Sequence, residues 1–448
     1  MAHLAFIAPP FRGHMDPMRA LARECLRRGH AATFLHMPDA AALVGDERIG
    51  FRAVGAASHP VGKLAEVTHR MATVDGFLGL PGIIRDVAAA TEMLCRDLPA
   101  ALREIGADMV VCDGTEAAGF LVAGHLGLPL VTVANALPLN REPGVPPPFT
   151  GWRYDESRWG LERNGGGYRV ADLLMRAHAR VISDHADRWK LGPRRTIADC
   201  LSPLAQVSQT VAGFDFPRRE LPDVFHHVGP LRDPGPSRSD PGFRLPPRDR
   251  RPLAYASLGT LQGGRTSLFR RIAAAADRAG FRLVIAHGGR MSERDAARLP
   301  GAPSVHAFVP QAALLAEADV AILNGGLNTV MDALAARVPC VVLPIAFEQG
   351  AIAARLERAG AGLSVSRRFL GPRRLARAIR TVTAIPSYRG AASRLGREIA
   401  EAGGVVHAAD ILDAILATGQ SVTREAALRF KAARLNERAG PAQSDKAA

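Results

Sequence analysis

Residues 3–36 read HLAFIAPPFRGHMDPMRALARECLRRGHAATFLH, and this stretch decides the fold class. His3–Ala8 and Ala31–His36 are short apolar runs typical of buried strands. Between them, Pro17–Arg28 has apolar residues at helical spacing, and Gly29 ends that pattern. A strand, a helix and a second strand form a βαβ unit with parallel strands. The sequence therefore predicts an α/β protein that begins with a Rossmann-like, doubly wound sheet.

The same alternation continues and then restarts further along the chain. Residues 232–252 are rich in Pro, Gly and Arg, a composition that neither pairs in a sheet nor continues a helix. After this stretch, new strands and amphipathic helices begin near residue 253. We predict two Rossmann-like domains, 1–231 and 253–418, that face each other across a cleft. The linker is 232–252, the last helices are free to pack back on the first domain, and 419–448 form a polar tail.

Composition and charge limit the function classes. The chain has 448 residues, 47% of them hydrophobic, which is enough for two cores. The formal net charge is +14, and almost all of the basic residues are arginines. They are scattered and not interleaved with aromatic residues, as nucleic-acid platforms require, so we expect no nucleic-acid partner.

The cysteines and the longest uncharged stretch indicate in which part of the cell the protein is expected. Five cysteines lie far apart with no Cys-x-x-Cys pair, which indicates a reduced, cytoplasmic protein. Residues 117–140 contain no formal charge and are long enough to raise the question of a membrane span. Glycines and prolines interrupt them, so a helix, a turn and a buried strand are the better interpretation.

The first candidate for chemistry is a histidine with an aspartate. His14 follows the first strand, and Asp113 closes the strand Met109–Cys112 at the same sheet edge. Ligands of open parallel sheets bind outside the carboxyl ends of the strands. A histidine there serves as a general base, and an aspartate within reach orients it. The alternatives are a loop-capping histidine and a helix-capping aspartate.

Two further motifs favour an anionic ligand in the second domain. Ser257-Leu-Gly259-Thr260 follows a strand and lets backbone N–H groups approach a phosphate, although alone this is a weak signal. Asn324-Gly-Gly-Leu-Asn-Thr329 lies between a strand and a helix, where free N–H groups attract a diphosphate. Neither a Walker loop nor Gly-x-Gly-x-x-Gly is present, which argues against nucleoside triphosphatases and dehydrogenases.

Other polar residues are expected at the same edge. Asp332 lies one helical turn beyond Asn328, where its carboxylate is able to accept both hydroxyls of a ribose. Glu348 and Gln349 follow the next strand and offer donors and acceptors to sugar hydroxyls. For each residue the alternative is capping or turn chemistry, but their convergence on one edge favours a site.

Together these residues resemble the UDP-glycosyltransferases of the two-Rossmann GT-B type. Within that family the chain is most similar to the bacterial zeaxanthin glucosyltransferases of carotenoid pathways, over about residues 1–417. The stretches that carry this similarity are Asn135–Gly144, Cys200–Gln206, Phe214–Arg219 and Ala256–Gln262.

The resemblance implies transfer of glucose from UDP-glucose to the hydroxyls of zeaxanthin, with inversion to β-glucosides. His14 would be the catalytic base, supported by Asp113. UDP-glucose would be a co-substrate, with no other cofactor and no metal site. The resemblance assigns donor binding to Ser257, Gly259, Thr260, Phe308, Val309, Gln311, Asn324, Gly325, Gly326, Asn328, Thr329, Asp332, Glu348 and Gln349.

The chain departs from the family at three of these positions. Asn324 stands where a histidine is usual, so the side chain is able to donate a hydrogen bond but carries no charge. Phe308 stands where a tryptophan usually covers the uracil, and Glu348 replaces an aspartate. The departure at Asn324 affects the expected donor affinity more than the reaction type.

The acceptor is less closely defined than the donor. The apolar segments Phe77–Ile84 and Leu173–Val181 are expected to line an acceptor groove in the first domain. A lipophilic carotenoid would be met at a membrane, so we expect peripheral contact at its inner face, aided by the basic charge. The alternatives are a glycosyltransferase for a macrolide or sterol, a UDP-sugar epimerase and a non-catalytic binding protein.

Overall fold

Two parallel β-sheets with helices on both faces make up the part of the chain that the structure describes. This structure is a computed structural model, and it describes residues 1–73, 79–233, 243–244, 250–427 and 429–430. The first sheet has seven strands and the second has six, in the described residues. The predicted α/β class with two Rossmann-like sheets is confirmed.

The first sheet uses the chain up to residue 227. Its strands are β1 (His3–Ile7), β2 (Ala31–His36), β3 (Gly50–Ala53), β4 (Met109–Asp113), β5 (Leu130–Ala134), β6 (Ala205–Ser208) and β7 (Phe225–His227). The helices of this part are α1 (Arg12–Arg27), α2 (Ala41–Val44), α3 (Lys63–Thr73), α4 (Leu80–Glu104), α5 (Ala117–Leu126), α6 (Arg158–Leu174) and α7 (Arg176–Arg188).

The second sheet begins at residue 253. Its strands are β8 (Leu253–Ser257), β9 (Arg282–Ala286), β10 (Ser304–His306), β11 (Val320–Leu323), β12 (Cys340–Val342) and β13 (Gly362–Ser364). The helices of this part are α8 (Gly259–Gln262), α9 (Thr266–Ala279), α10 (Glu293–Ala296), α11 (Gln311–Glu317), α12 (Leu327–Ala335), α13 (Gln349–Ala359), α14 (Pro372–Ala384), α15 (Pro386–Ala402) and α16 (Gly404–Thr418).

The strand order gives each sheet one point where the order reverses. The first sheet runs β3-β2-β1-β4-β5-β6-β7, and the second runs β10-β9-β8-β11-β12-β13, with every pair parallel. The reversal lies between β1 and β4 in the first sheet and between β8 and β11 in the second. In such sheets the crevice outside these strand ends is the usual ligand position.

Alternate side chains of each central strand enter different cores. On β1, Leu4 and Phe6 pack in one buried cluster, whereas Ala5 and Ile7 pack in another. This alternation follows from the period of two along a strand. Because both faces are covered, β1 reads as a continuous apolar run, as the sequence predicted.

The last helix belongs to the core of the first sheet. Side chains of α16 such as Ile411 and Ile415 are buried in the same cluster as Leu4 and Phe6. Beyond it, the amide of Val422 donates to the carbonyl of Leu204 at 2.9 Å. The chain therefore returns to the first domain, and the described beginning of the predicted tail is packed against it.

The cysteines and the uncharged segment 117–140 have clear counterparts in the structure. All five cysteines are buried and unpaired. Within the described residues, every helix is too short or too polar to cross a bilayer. The uncharged segment 117–140 forms α5, a turn and β5.

A buried charge cluster fastens the two domains together. Arg355 on α13 donates from Nε to Asp215 Oδ1 at 2.6 Å, and Arg218 donates from Nε to Asp215 Oδ2 at 2.9 Å. Arg355 also lies over the ring of Phe216, 4.2 Å from its centre. Burial raises the pKa of Asp215, but the charges and hydrogen bonds of the two arginines outweigh burial and hold this pKa well below its usual range.

We expect Asp215→Ala to lower the free energy of unfolding by about 3–5 kcal/mol, because the buried Arg355 loses its counterion and Arg218 keeps only the more distant Glu142, at 3.7 Å. The stabilisation is present at neutral pH and is lost as the pH falls below about 4, since protonation removes the charge. Urea titration measures the loss. The control is Asp223→Ala, which breaks an exposed pair with Arg424 and should cost no more than about 1 kcal/mol. Equal costs would contradict the assigned role.

Candidate functional site

A cavity of about 630 Å³ lies between the carboxyl ends of the two sheets. Both points of strand-order reversal open onto it, so the cavity occupies the position expected for a ligand of either sheet. Fourteen of the sixteen predicted site residues line it: His14, Ser257, Gly259, Thr260, Phe308, Val309, Gln311, Asn324, Gly326, Asn328, Thr329, Asp332, Glu348 and Gln349. The other two, Asp113 and Gly325, lie directly behind this wall.

His14 and Asp113 form a hydrogen-bonded pair at the reversal point of the first sheet. The Nδ1 atom of His14, in the first turn of α1, lies 2.8 Å from Asp113 Oδ2 at the end of β4. An ionised carboxylate only accepts hydrogen bonds, so Nδ1 carries the proton. In the neutral imidazole, Nε2 is then left as a proton acceptor. The pair has the geometry of an oriented general base.

Four donors hold the Asp113 carboxylate in a fully buried position. Oδ2 accepts from His14 and from Asn135 Nδ2, the latter at 2.6 Å. Oδ1 accepts from the amide and the hydroxyl of Thr115, at 2.8 and 2.6 Å. Burial raises the pKa of Asp113, but the charge and hydrogen bond of His14 and the bonds from Thr115 lower it overall. The carboxylate therefore stays charged.

The environment of His14 strengthens its basicity. Burial lowers the pKa of His14, but the charge and hydrogen bond of Asp113, with a further contribution from Glu348, raise it above the usual 6.5. Glu348 belongs to the second domain and also lines the cavity. Negative groups on both sides thus stabilise the imidazolium that forms when His14 takes up a proton.

The opposite wall is built by two tight turns. Gly325, with φ of +91°, links β11 to α12, and a Cβ there would lie 2.9 Å from Val342 Cγ1. Gly259, with φ of +71°, follows β8 and packs against Asn324. These glycines allow the start of α12 to face the cavity. The N–H groups of a first helical turn attract anions.

Asn324 cross-links these turns. Its Nδ2 donates to the carbonyl of Leu258 at 2.8 Å and to Gln262 Oε1 at 3.4 Å, and its Oδ1 accepts from the amide of Gly326 at 3.2 Å. The amide hydrogens expected to reach a diphosphate directly are therefore used within the protein. Asn324 holds the two anion-binding turns in register.

Asp332 and Gln311 are hydrogen-bonded to each other at the far end of the cavity. Gln311 Nε2 donates to Asp332 Oδ2 at 2.6 Å, and Tyr255 donates its hydroxyl proton to Gln311 Oε1 at 2.9 Å. Arg232 donates from Nε to Asp332 Oδ1 at 2.7 Å. Each carboxylate oxygen still has a second lone pair for a ligand hydroxyl. Arg232 was expected to begin a linker, but its side chain is part of the site.

A chain of three amides, Asn135, Gln209 and Asn328, connects the two halves of the site. Gln209 Nε2 donates to Asn135 Oδ1 at 3.1 Å and to Asn328 Oδ1 at 3.2 Å. Asn328 Nδ2 then donates to the carbonyl of Gly13 at 2.8 Å. That carbonyl lacks its helical partner because Pro17, four residues on, has no N–H group. We call these three residues the interdomain amide chain.

The side chain of Gln349 is hydrogen-bonded to backbone amides at the rim of the cavity. Its Oε1 accepts from the amides of Ile345 and Ala346, at 2.8 and 3.0 Å. The acceptor expected to meet a sugar hydroxyl is therefore committed to the loop after β12. Glu348 precedes it at the start of α13 and lines the cavity.

Sequence reasoning missed several residues of the site. Gln209 and Tyr255 have no recognisable local motif, and Arg232 was assigned to the linker. Asn135 and Gln262 were quoted only as ends of similar stretches. Two of these residues share a signal, because Asn135 directly follows β5 and Gln209 directly follows β6, at the carboxyl ends of the strands.

The described parts of the predicted acceptor segments do not line this cavity. Phe77 and Leu78 fall outside the described residues, and Leu80–Ile84 begins α4 without lining the cavity. Leu173 and Leu174 are exposed on α6. Met71, near the end of α3, does line the cavity. Among the described residues, no group of three or more His, Cys, Asp or Glu side chains is arranged to hold a metal ion.

Comparisons with known proteins agree on sugar transfer. A family model described as "Erythromycin biosynthesis protein CIII-like, C-terminal domain" matches residues 277–437. The chain is 42% identical to the zeaxanthin glucosyltransferase of Pantoea ananas, over 94% of this chain and 98% of that protein. It is 39% identical to the zeaxanthin glucosyltransferase of Pseudescherichia vulneris, over 94% and 100%.

Solved structures show the fold. CalG4, the calicheamicin glycosyltransferase, superimposes with a TM-score of 0.72 at 23% identity, over 93% of this chain and 98% of that one. The glycotransferase of kitacinnamycin superimposes with a TM-score of 0.71 at 22% identity, over 93% and 99%.

The pKa of His14 should depend on Asp113. By NMR titration of the imidazole, we expect a midpoint above pH 6.5 in the unmodified protein and a lower midpoint in Asp113→Asn, because the amide keeps the shape but loses the charge. Asp16→Asn, an exposed change on the same helix, is the control and should leave the midpoint in place. An unchanged midpoint in Asp113→Asn would show that the pair is not electrostatically coupled.

The cross-link through Asn324 should matter for anion binding. We expect Asn324→Ala to weaken UDP binding, measured by calorimetry, by about 1–3 kcal/mol, because the turns at Leu258 and Gly326 lose their common partner. Asn140→Ala removes an amide that bonds Gln206 in the first domain and should leave UDP affinity unchanged. Full affinity in the Asn324→Ala protein would rule out this organising role.

Proposed function

The chain belongs to the zeaxanthin glucosyltransferase family of GT-B glycosyltransferases, and we propose that it transfers glucose from UDP-glucose to the hydroxyl groups of zeaxanthin. The observation that carries the proposal is the position of the His14–Asp113 pair. It lies in the first domain, across one cavity from the glycine turn that begins α12 in the second. An oriented base opposite an anion-binding helix start is the arrangement that glycosyl transfer from a nucleoside diphosphate needs.

The transfer step follows from this arrangement. An acceptor hydroxyl gives its proton to Nε2 of His14 while its oxygen bonds to the anomeric carbon of the glucose. The bond from that carbon to the UDP oxygen breaks on the opposite side, so an α-linked donor gives a β-glucoside. Asp113 stabilises the imidazolium, and the departing diphosphate takes the negative charge.

The second domain supplies the groups that support the donor. We propose that the turns at Ser257–Thr260 and Gly325–Thr329 receive the diphosphate, because backbone N–H groups and the α12 dipole favour negative charge there. Asp332 has lone pairs left for ribose hydroxyls, and Phe308 with Val309 offers an apolar surface for the uracil. Glu348 lies toward His14 and would meet the sugar.

In this proposal, neither a charged side chain at position 324 nor a metal ion stabilises the diphosphate. Asn324 is uncharged, whereas the family usually has a histidine at this position. The positive ends of the backbone dipoles at α12 would therefore stabilise the diphosphate. We propose that UDP-glucose is the co-substrate and that no other cofactor or metal ion takes part. If no metal ion takes part, turnover should be unchanged in the presence of EDTA.

The proposed acceptor places the reaction at a membrane. Zeaxanthin is a long polyene with a hydroxyl on each terminal ring, and it resides in membranes. We propose that the protein meets it at the inner face of a membrane, as a peripheral protein. A water-soluble macrolide would require no such contact.

The test is incubation of the protein with UDP-glucose and zeaxanthin in detergent micelles, followed by mass spectrometry. We expect products heavier by one and two glucose units. His14→Ala should reduce the rate about 10²–10⁴-fold, because the base is lost, while UDP still binds in the other domain. His69→Ala, an unrelated histidine on α3, is the control. Sugar transfer to a macrolide or sterol but not to zeaxanthin would overturn the proposed acceptor, and epimerisation of UDP-glucose alone would overturn transfer itself.

A further inference from the structure

Large exposed apolar side chains are concentrated in one short part of the described chain. Ten such residues occur in the described part, and six of them lie between residues 149 and 174. The six are Phe149, Trp159, Leu161, Val170, Leu173 and Leu174. A concentration of this kind on a protein surface marks an interaction site, whereas isolated exposed hydrophobic residues do not.

Most of these side chains share one face of α6. With about 100° between successive residues, Trp159, Val170, Leu173 and Leu174 lie within an arc of about 100°. Trp159 is 65% exposed, and Val170 and Leu173 are each 55% exposed. The buried residues Gly160, Asn164 and Ala171 lie on another side of the helix. The helix therefore has an inner, packed side and an outer, apolar side.

The inner side fixes the helix firmly. Asn164 Nδ2 donates to the carbonyl of Pro143 at 3.0 Å. Gly167 packs so closely on Trp152 that a Cβ would lie 2.8 Å from the indole. The guanidinium of Arg163 lies 5.0 and 5.2 Å from the ring centres of Trp152 and Trp159. The packing of the inner side therefore fixes which side of α6 faces outward.

Arginines border the apolar side. Residues 158–180 contain five arginines and two acidic residues. Arg169 on α6 and Arg176 and Arg180 on α7 are exposed. Both acidic residues already have arginine partners, Glu162 with Arg158 and Asp172 with Arg141. An apolar helix face next to cationic side chains fits an anionic lipid surface, with the helix lying in the plane of the headgroups.

The segment 149–152 connects α6 to the rim of the cavity. The backbones of Gly151 and Gly350 are so close that a Cβ on Gly350 would lie 3.1 Å from the Cα of Gly151. Gly350 directly follows Glu348 and Gln349, which line the cavity. Phe149, 51% exposed, lies two residues before Gly151, and Trp152 packs on Gly167 of α6. The segment therefore runs from the rim of the cavity to the inner side of α6.

We propose that the outer side of α6, formed by Trp159, Val170, Leu173 and Leu174 with Arg169, Arg176 and Arg180, docks on an anionic lipid bilayer. We call it the α6 surface. Docking brings the rim of the cavity to the lipid, so a lipophilic acceptor enters without crossing water. Only this last point rests on the proposed function.

Vesicle sedimentation tests the docking without any catalytic readout. The probes are vesicles of phosphatidylcholine alone and vesicles that also contain phosphatidylglycerol. We expect binding to the anionic vesicles, and about tenfold or greater loss in Trp159→Ser/Leu173→Ser, because two apolar side chains no longer enter the lipid. The matched control is Ile385→Ser/Val406→Ser, which removes exposed apolar side chains elsewhere and should bind as the unmodified protein does.

The charge contribution is measured with Arg176→Gln/Arg180→Gln. We expect about tenfold weaker binding in low salt and a smaller difference in high salt, because salt screens surface attraction. Circular dichroism of each variant confirms that the helices remain folded. Equal pelleting of the unmodified protein and the Trp159/Leu173 variant would overturn the proposal. So would a dimer in sedimentation velocity that this variant converts to a monomer, since a second copy would then cover the surface.

Activity separates this inference from the proposed function. We expect the Trp159→Ser/Leu173→Ser protein to keep its rate with zeaxanthin in detergent micelles and to lose most of its rate with zeaxanthin in anionic vesicles. If zeaxanthin is not a substrate in micelles or in vesicles, the proposed function is wrong. The sedimentation experiment still tests the docking, because it does not depend on activity. Equal loss of rate in micelles and in vesicles would overturn the docking role.

Discussion

The buried carboxylate of Asp113 is the constraint around which the site is organised. A charge removed from water is costly, so it needs partners that supply hydrogen bonds in fixed positions. Asn135, Thr115 and His14 supply them from three separate segments, and their geometry fixes the imidazole. The orientation of the His14 imidazole is therefore a consequence of satisfying one buried charge.

The same requirement links the two domains. Asn135, held by Asp113, receives Gln209, and Gln209 reaches Asn328 at the start of α12. Asn328 in turn uses the Gly13 carbonyl that Pro17 leaves open. Through the interdomain amide chain, His14 and the start of α12, the proposed base and the proposed diphosphate site, share one hydrogen-bonded path. The Arg355–Asp215 pair reinforces the same boundary with a stronger, charged contact.

The two sides of the cavity use different physical means. In the first domain, the buried Asp113 holds His14, and Glu348 of the second domain adds negative charge from across the cavity, so a proton taken up by His14 is stabilised. For the negative charge of a diphosphate, the second domain offers glycine turns and the dipole of α12, which are positioned before any ligand arrives and need no titratable group. Asn324 suits this division: a neutral side chain completes the turns without adding a charge.

Sequence alone determined the fold class and fourteen of the residues that line the cavity. Apolar runs and helical periodicity are local patterns, and strand ends in a parallel sheet share one edge, so His14, Asp113 and the Asn324–Asp332 stretch were expected to converge. Apart from the His14–Asp113 pair, side-chain partners were not determined in this way. Gln209 and Asn328 lie 119 residues apart, and Arg232 and Asp332 lie 100 apart.

Only the tertiary structure decided that Asn324 and Gln349 serve the loops, that Arg232 joins Asp332, and that α16 packs with the first sheet. The same holds for the exposure of α6. The physical reason is that a periodic pattern shows which side of a helix is apolar, but contacts between distant segments decide which side is covered.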